Sequence, residues 1–332
     1  MIISRTPFRI SFFGGGTDYP IWYEKNGGQV LSATINKYCF ITVRYLPPFF
    51  KYKHRIRYYQ HEETNSIDEI KHPSVRECLR YLKIERGIEI IHNADLPAQS
   101  GLGSSSTFTV GLLNALHALQ NYMPTKRELA LEAIKIEQDK IGEMVGSQDQ
   151  TAAAFGGINK ISFSSSTNIE VDPIIISSKR RENLEEKLMV FFTGFARNAS
   201  EIAKEQIKIT NKKEKELNRM IQIFNQGINI LTNEKESLDK FGELLNEQWK
   251  LKRSLTDKIS NKEIDDIYEA GINAGALGGK LLGAGGGGFM LFYVPLDKQE
   301  KVKSILKAKL FVPFRFEHTG SKIIYYSHSN EY

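Results

Sequence analysis

Eleven residues constrain this chain more than any others: Pro97-Ala98-Gln99-Ser100-Gly101-Leu102-Gly103-Ser104-Ser105-Ser106-Thr107. The alternating run Gly87 to His92 before them reads as a strand, and Phe108 to Leu116 after them carries apolar residues at helical spacing. The segment therefore opens a helix. Gly101 and Gly103 leave its backbone uncovered, so free N–H groups, the positive end of the helix dipole and three consecutive hydroxyls converge. Such a place suits an anion, most often phosphate. Spacing alone equally allows an ordinary N-cap in a Gly/Ser loop.

Two phosphate motifs are excluded. No Gly-x-x-x-x-Gly-Lys-Ser/Thr occurs; near Gly275 to Lys280 the first glycine is one place off and Leu281 follows the lysine. Gly283, Gly285 and Gly288 do form Gly-x-Gly-x-x-Gly. A helix-like segment precedes them and the strand-like Phe289 to Val294 follows, the reverse of a dinucleotide-binding turn.

The loop from Pro97 to Ser106 resembles the second motif of the GHMP small-molecule kinases, the family of galactokinase, homoserine kinase, mevalonate kinase and phosphomevalonate kinase. Thr6-Pro7-Phe8-Arg9-Ile10-Ser11-Phe12-Phe13-Gly14-Gly15-Gly16-Thr17-Asp18-Tyr19-Pro20 resembles the family's N-terminal motif, and Lys280 to Phe289 its C-terminal glycine motif. Three motifs in the family's order, spanning nearly the whole chain, make a specific signal. The resemblance implies an α+β fold, the GHMP kinase fold. Residues 1–180 would form a domain of the ribosomal-protein-S5 domain-2 type and residues 181–332 a ferredoxin-like domain, with the active site between them.

The 332 residues suffice for two domains, and 41% hydrophobic with 25% charged content is that of a soluble globular protein. No apolar run approaches the roughly 20 residues a membrane span needs. Arg5 and Arg9 interrupt any signal-peptide core, and Cys39 and Cys78 have no metal spacing, so a cytoplasmic protein with reduced thiols is expected. The net charge of +6 suits anionic substrates, and no nucleic-acid motif accompanies it. The expected partners are a small sugar phosphate and ATP, without nucleic acid or membrane; a homodimer is left open.

Along the chain, Ile2 to Phe13 reads as a strand broken at Pro7, and Val30 to Arg44 as a second strand. Lys51 to Tyr59 interleaves basic and aromatic residues, read as an exposed strand with a solvated face; attraction of a phosphorylated substrate is the other reading. Thr125 with Glu128 predicts a capping box, and the helix it opens is expected to end near Gly146. Met144 to Gly157 reads as a tight, buried turn around one carboxylate. Long Lys/Glu-rich helices follow from about 200 to 250.

A kinase must cradle phosphates, neutralise them with Mg²⁺ and orient an acceptor hydroxyl. The resemblance assigns the cradle to Pro97, Ser100, Gly101, Leu102, Gly103, Ser104, Ser105 and Ser106. It assigns the metal to Ser105 and Glu137, with Glu132 and Glu143 as competitors for the carboxylate. Asp149, in Gly146-x-x-Asp149, matches the family's catalytic aspartate, which accepts or orients the hydroxyl proton; without the resemblance it reads rather as an Asp that satisfies turn N–H groups. Arg9 matches the arginine of the galactokinase-type motif, there to stabilise the transferring phosphoryl and keep Asp149 ionised. Gly14, Gly15, Gly16, Thr17 and Asp18 would meet the acceptor, although Asp18 could also make an Asx turn before Pro20. Lys280, Gly285 and Gly286 would close the site from the second domain.

Galactokinases carry Glu-His where Gly15-Gly16 stands, which argues against galactose. Gly-Gly-Gly-Thr-Asp-Tyr-Pro and Phe192-Thr193-Gly194-Phe195-Ala196-Arg197 resemble the branch of D-glycero-D-manno-heptose 7-phosphate kinases and fucokinase-like enzymes. That branch implies Arg197 as the grip on a substrate phosphate. The expectation is an ATP- and Mg²⁺-dependent sugar 1-kinase. Its rivals are a kinase of an unphosphorylated sugar or of the mevalonate type, a non-catalytic sugar sensor on the same fold, and a phosphorylating decarboxylase.

Overall fold

The computed structural model describes residues 1–98, 100–195 and 199–327. Its strands are β1 (Ile2–Phe13), β2 (Gly28–Tyr45), β3 (His54–Arg57), β4 (His61–Thr64), β5 (Ile88–Ala94), β6 (Ile158–Phe163), β7 (Ile169–Pro173), β8 (Leu188–Phe192), β9 (Gly278–Leu281), β10 (Phe289–Tyr293), β11 (Leu310–Phe311) and β12 (Lys322–Tyr326). Its helices are α1 (Pro20–Asn26), α2 (Pro73–Tyr81), α3 (Ser104–Leu119), α4 (Lys126–Lys135), α5 (Gln148–Phe155), α6 (Ser178–Glu186), α7 (Ala199–Ile209), α8 (Glu214–Thr232), α9 (Asp239–Arg253), α10 (Lys262–Ala274) and α11 (Gln299–Ile305).

The long β2 organises the first sheet. β1 runs along one edge of it; on the other, its first half pairs with β6 and its second half with β5. The sheet order is β12-β1-β2-β5-β3-β4, with β7 added beyond β6. A second sheet, β11-β8-β10-β9, is antiparallel throughout and built entirely from residues after Glu186. β12 returns to pair with β1, so the chain's last described strand belongs to the first sheet.

α3 is apolar on all sides because it is enclosed on all sides: every residue from Ser106 to Leu119 is buried. It passes so close over β1 that a Cβ on Gly111 would lie 2.8 Å from the Thr6 hydroxyl. Phe12 and Phe13 of β1 pack edge-on against Phe241 of α9, at 5.4 and 4.8 Å between ring centres, and join the first sheet to the later helices. Each is fully buried and contributes roughly 2–3 kcal/mol by its burial.

Four local expectations are corrected. Pro7 does not break β1; it lies beyond Arg5, the last residue that β12 pairs, so its missing N–H costs no bond to that strand. The basic stretch is not an exposed edge: β3 sits between β5 and β4 with His54 and Ile56 buried. Arg55 is engaged by Glu89 and lies 4.9 Å over the Phe50 ring. The helix capped by Thr125 and Glu128 does not reach Gly146. It passes into a π-helical turn over Ile136–Ile141 and stops at Gly142, whose φ of +78° ends it. Lastly, the stretch after Gly146 is no simple turn, since Gln148–Phe155 is helical and places Asp149 in the first turn.

Candidate active site

Arg9 brings the site together. Its backbone N–H donates to the Leu102 carbonyl at 3.1 Å, so the outer edge of β1 holds the glycine loop. Its guanidinium grips Asp149 with two parallel bonds, Nε to Oδ1 at 2.8 Å and Nη2 to Oδ2 at 2.7 Å. A third bond runs from Nη1 to the Gly101 carbonyl at 2.8 Å. The arginine side chain is 4% exposed and that of Asp149 25%, so the carboxylate keeps a face open to the cavity beside it. The planar fork of arginine suits this double contact; lysine could not reproduce it.

Gly103 caps α3 in a left-handed conformation, φ +79°, and a Cβ there would lie 3.4 Å from Asp149 Oδ2. The hydroxyl row of α3 then divides. Ser105 is exposed, while Ser106 is buried and donates to Glu137 Oε2 at 2.7 Å. Gln150 donates to the same oxygen. Glu137 thus contacts Ser106 directly, while Ser105, the serine expected with it at the metal, lies exposed on the same helical turn. Its other oxygen, Oε1, is buried without a partner. Burial, with the charge of Glu143 added, pushes the carboxyl up to about 7. A buried carboxylate with an unpaired oxygen, behind a row of hydroxyls at a helix N-terminus, fits a hard divalent cation that keeps most of its waters. Glu132 is occupied elsewhere by His117, at 2.6 Å; Glu143 lines the cavity.

Asp18 lies deeper. It accepts from the Gly16 N–H and from Gln148 Nε2, each at 2.9 Å, and burial raises its pKa. Gly146 exists for this carboxylate, because a Cβ there would fall 1.9 Å from Asp18 Oδ2. Thr17, expected at the acceptor, instead ties Gly14 to Gln29 through its hydroxyl and is wholly buried. Gly14 backs onto the Gln29 carbonyl and does not line the cavity, whereas Gly15, Gly16 and Asp18 do.

A cavity of about 490 Å³ runs past these groups. Its inner end is walled by Gly15, Gly16, Asp18, Gln148, Asp149, Gln206, Lys252 and Lys280. Lys280 is buried and donates to the Ser11 and Phe12 carbonyls at 2.8 and 2.9 Å, so it braces β1 as well as lining the site. Burial drives its pKa well down. Lys252 of α9 donates to the Gly283 carbonyl. The outer end is aromatic, with Tyr58, Tyr59, His72, His92 and Phe108. The His72 ring stacks on Phe108 at 4.6 Å, and burial lowers its pKa to about 4, so it presents a neutral flat surface. Glu62 fixes this end by accepting from Tyr58 at 2.8 Å and from the backbone of Lys71 and His72.

The C-terminal glycines serve another purpose than expected. Gly285 and Gly286 turn away to Ile259: the Gly286 N–H donates to its carbonyl at 2.9 Å, and neither glycine lines the cavity. Gly283 and Gly288 instead let this loop touch the other glycine loop, backbone to backbone. A Cβ on Gly283 would lie 2.5 Å from Gly101 Cα, and one on Gly288 2.3 Å from the Ser100 carbonyl. The segment before the glycines is β9, not a helix, and the motif is the bend of a β9–β10 hairpin. Of the expected cradle, Gly101, Gly103, Ser104, Ser105 and Ser106 line the cavity, while Leu102 and Ser100 are buried beneath it and Pro97 is exposed to one side. Arg197 lies outside the described residues.

Sequence reasoning missed Lys252, Gln206, Gln148 and the aromatic end. A signal for Lys252 existed: Leu245, Gln248, Trp249 and Lys252 fall on one helical stripe, and all four are buried.

Family models match two regions, "GHMP kinases N terminal domain" over residues 72–157 and "GHMP kinases C terminal" over 230–311. The chain is 32% identical to the D-glycero-alpha-D-manno-heptose 7-phosphate kinase of Campylobacter jejuni, over 97% of this chain and 98% of that protein. It is 25% identical to the galactokinase of Pyrococcus furiosus, over 95% of each. Among solved structures, a D-glycero-D-manno-heptose 1-phosphate kinase from Bacteroides thetaiotaomicron superposes with a TM-score of 0.74 at 24% identity, covering 99% of this chain and all of that one. A sugar kinase structure from Campylobacter jejuni, 27% identical, superposes with a TM-score of 0.70 over 97% of both.

Proposed function

The chain belongs to the GHMP kinases, phosphotransferases that act on an alcohol group, and from that premise we propose that it transfers the γ-phosphoryl of ATP to the anomeric hydroxyl of a sugar phosphate. The acceptor favoured is D-glycero-D-manno-heptose 7-phosphate, the substrate in the name of the Campylobacter relative, and the product is the 1,7-bisphosphate. The observation that carries the reading is the Arg9–Asp149 pair set against the α3 N-terminus, with one open carboxylate face.

The nucleotide base enters the aromatic end, against the faces that Tyr58, Tyr59 and His72 turn to the cavity, and its phosphates reach the N–H groups of α3. Glu137, with the hydroxyls of Ser105 and Ser106, would hold Mg²⁺, which neutralises phosphate charge when bound. The acceptor lies at the inner end. Asp149 takes the proton as the sugar oxygen bonds to the γ-phosphorus and the bond to the bridging oxygen of ADP breaks. Arg9 fixes the carboxylate and, through Gly101, fixes the loop relative to it. We further propose that 1–180 and 181–332 are two units that share this site, with β12 of the second exchanged into the sheet of the first, and that the protein works in the cytoplasm.

The test is ADP release with heptose 7-phosphate, unphosphorylated heptose, fucose, galactose and mevalonate. The expected outcome is selective turnover of heptose 7-phosphate. Asp149→Asn, which keeps the volume and an acceptor for Arg9, should lower kcat by roughly 10²–10⁴-fold with nucleotide binding retained. Turnover of an unphosphorylated sugar alone would overturn the acceptor. Sugar binding without turnover would favour a sensor, and carbon dioxide release a decarboxylase.

A further inference from the structure

The inner end of the cavity holds more polar capacity than its own residues use. Gln206 of α7 is 4% exposed, and its Nε2 is buried without a partner. A Cβ on Gly16 would lie 3.0 Å from that nitrogen, so the amide hangs over the Gly15-Gly16 floor. Gln148 uses its Nε2 on Asp18 and leaves Oε1 buried and unpartnered; the Ser11 hydroxyl is likewise unpartnered. Lys252 is 6% exposed, and among the described residues its ammonium donates one hydrogen bond, to Gly283, of the three it can make.

Arg9 and Asp149 cancel each other, and Asp18 then faces both Lys252 and Lys280. Lys280 spends two donors on backbone carbonyls. Lys252 is thus the inner cation with donors to spare. Burial holds its pKa down at about 8, with Asp18 pulling the other way, so an anion beside it would offset the burial and hold the ammonium charged.

We propose that Lys252 is the residue that receives the acceptor's own phosphate, with the Gln206 and Gln148 amides reading hydroxyls of the same molecule. The cations considered from sequence do not compete among the described residues, because Arg55 is spent on Glu89 and no residue from 51 to 57 lines the cavity. The inference rests on the proposed sugar-phosphate acceptor and names the group that recognises it.

The test compares wild type with Lys252→Met, Lys252→Arg and Gln206→Leu. Acceptors are heptose 7-phosphate and unphosphorylated heptose. Lys252→Met should raise KM for the phosphorylated acceptor by about 10²-fold and leave KM for ATP within about twofold. Its penalty on kcat/KM should be at least about tenfold greater for the phosphorylated acceptor than for the plain sugar. Lys252→Arg should recover much of the loss, and Gln206→Leu should raise KM for both acceptors. Equal falls in kcat for both acceptors, with KM unchanged, would place Lys252 on the transferring phosphoryl and overturn the proposal. Unchanged constants in Lys252→Met would also overturn it and leave Arg197 as the grip.

A second measurement separates this site from the substrate reading. With the nucleotide site filled by a non-hydrolysable ATP analogue, millimolar inorganic phosphate should raise the Tm of wild type and not of Lys252→Met. Stabilisation of wild type alone, with no turnover of the heptose phosphate, would discard that substrate and keep the anion site. Equal stabilisation of both proteins would remove it.

Discussion

At the scale of single residues, Glu137 shows how this site trades stability for chemistry. Its carboxylate is buried in a π-helical turn with one oxygen unpaired, an arrangement that costs stability and that the proposed cation would offset. Glu137→Gln keeps the shape and removes the buried charge. The apo variant should melt at the same temperature as wild type or higher, while the Mg²⁺ concentration for half-maximal turnover should rise by roughly 10–100-fold. Thermal melts beside Mg²⁺ titrations check both halves. An unchanged Mg²⁺ dependence would remove Glu137 from the metal site. Arg9 is the complementary case: all three of its side-chain nitrogens are committed, so it acts by positioning Asp149 and Gly101.

At the scale of elements, two carboxylates pin the segment after β11: Glu185, which accepts from Arg315 and the Phe316 backbone, and Glu317. Glu317 accepts from the Tyr38 hydroxyl, from the backbone of His318 and Thr319 and from the Thr319 hydroxyl, with Arg5 at 3.5 Å. Burial pushes its pKa up, but these bonds outweigh it and hold the carboxyl down at about 2, against an ordinary 4.5. The stabilisation is therefore complete above about 4.5 and is lost as pH falls toward 2; by linkage it is at most roughly 3 kcal/mol, and solvent screening makes it less. Glu317→Gln should lower Tm at pH 7, and the gap from wild type should close between pH 5 and 2. A gap independent of pH would mean the charge contributes nothing. The contacts to Tyr38 and Arg5 were not legible beforehand, because these residues lie 279 and 312 positions from Glu317 in the chain. What was legible is what local chemistry dictates: β1, β2, β5, the Thr125 capping box and the strand–loop–helix around Gly101 and Gly103. Asp149 and Arg9 stood out through motifs alone. Their mutual grip, the helix under Asp149 and the burial of Lys252 depend on tertiary packing that no local pattern encodes.

At the scale of the whole molecule, the two glycine loops form a seam beside the proposed active site. One opens α3 under the first sheet, and the other bends between β9 and β10 in the second. They meet through Gly101 and Gly283, and Arg9 and Lys252 bond to the carbonyls of these same two residues. The seam therefore sets how far Asp149 stands from the inner wall, and any side chain inserted there must move backbone. Gly283→Ala adds a Cβ 2.5 Å from Gly101 Cα at a φ of +82°. Separation by about 1 Å is enough to cost on the order of 10²-fold in rate where reacting atoms must align. The variant should lose that much kcat with its fold retained. Gly27→Ala is the control, since it has a similar φ of +70° and its nearest contact, at 3.8 Å, is ordinary. It should lower Tm by a comparable amount and keep its kcat. If both variants lost activity equally, strain and not separation would be responsible, and the seam would have no special part in the reaction. If Gly283→Ala alone fails, the register of the two sheets, set by contact between backbones, is itself part of the active site.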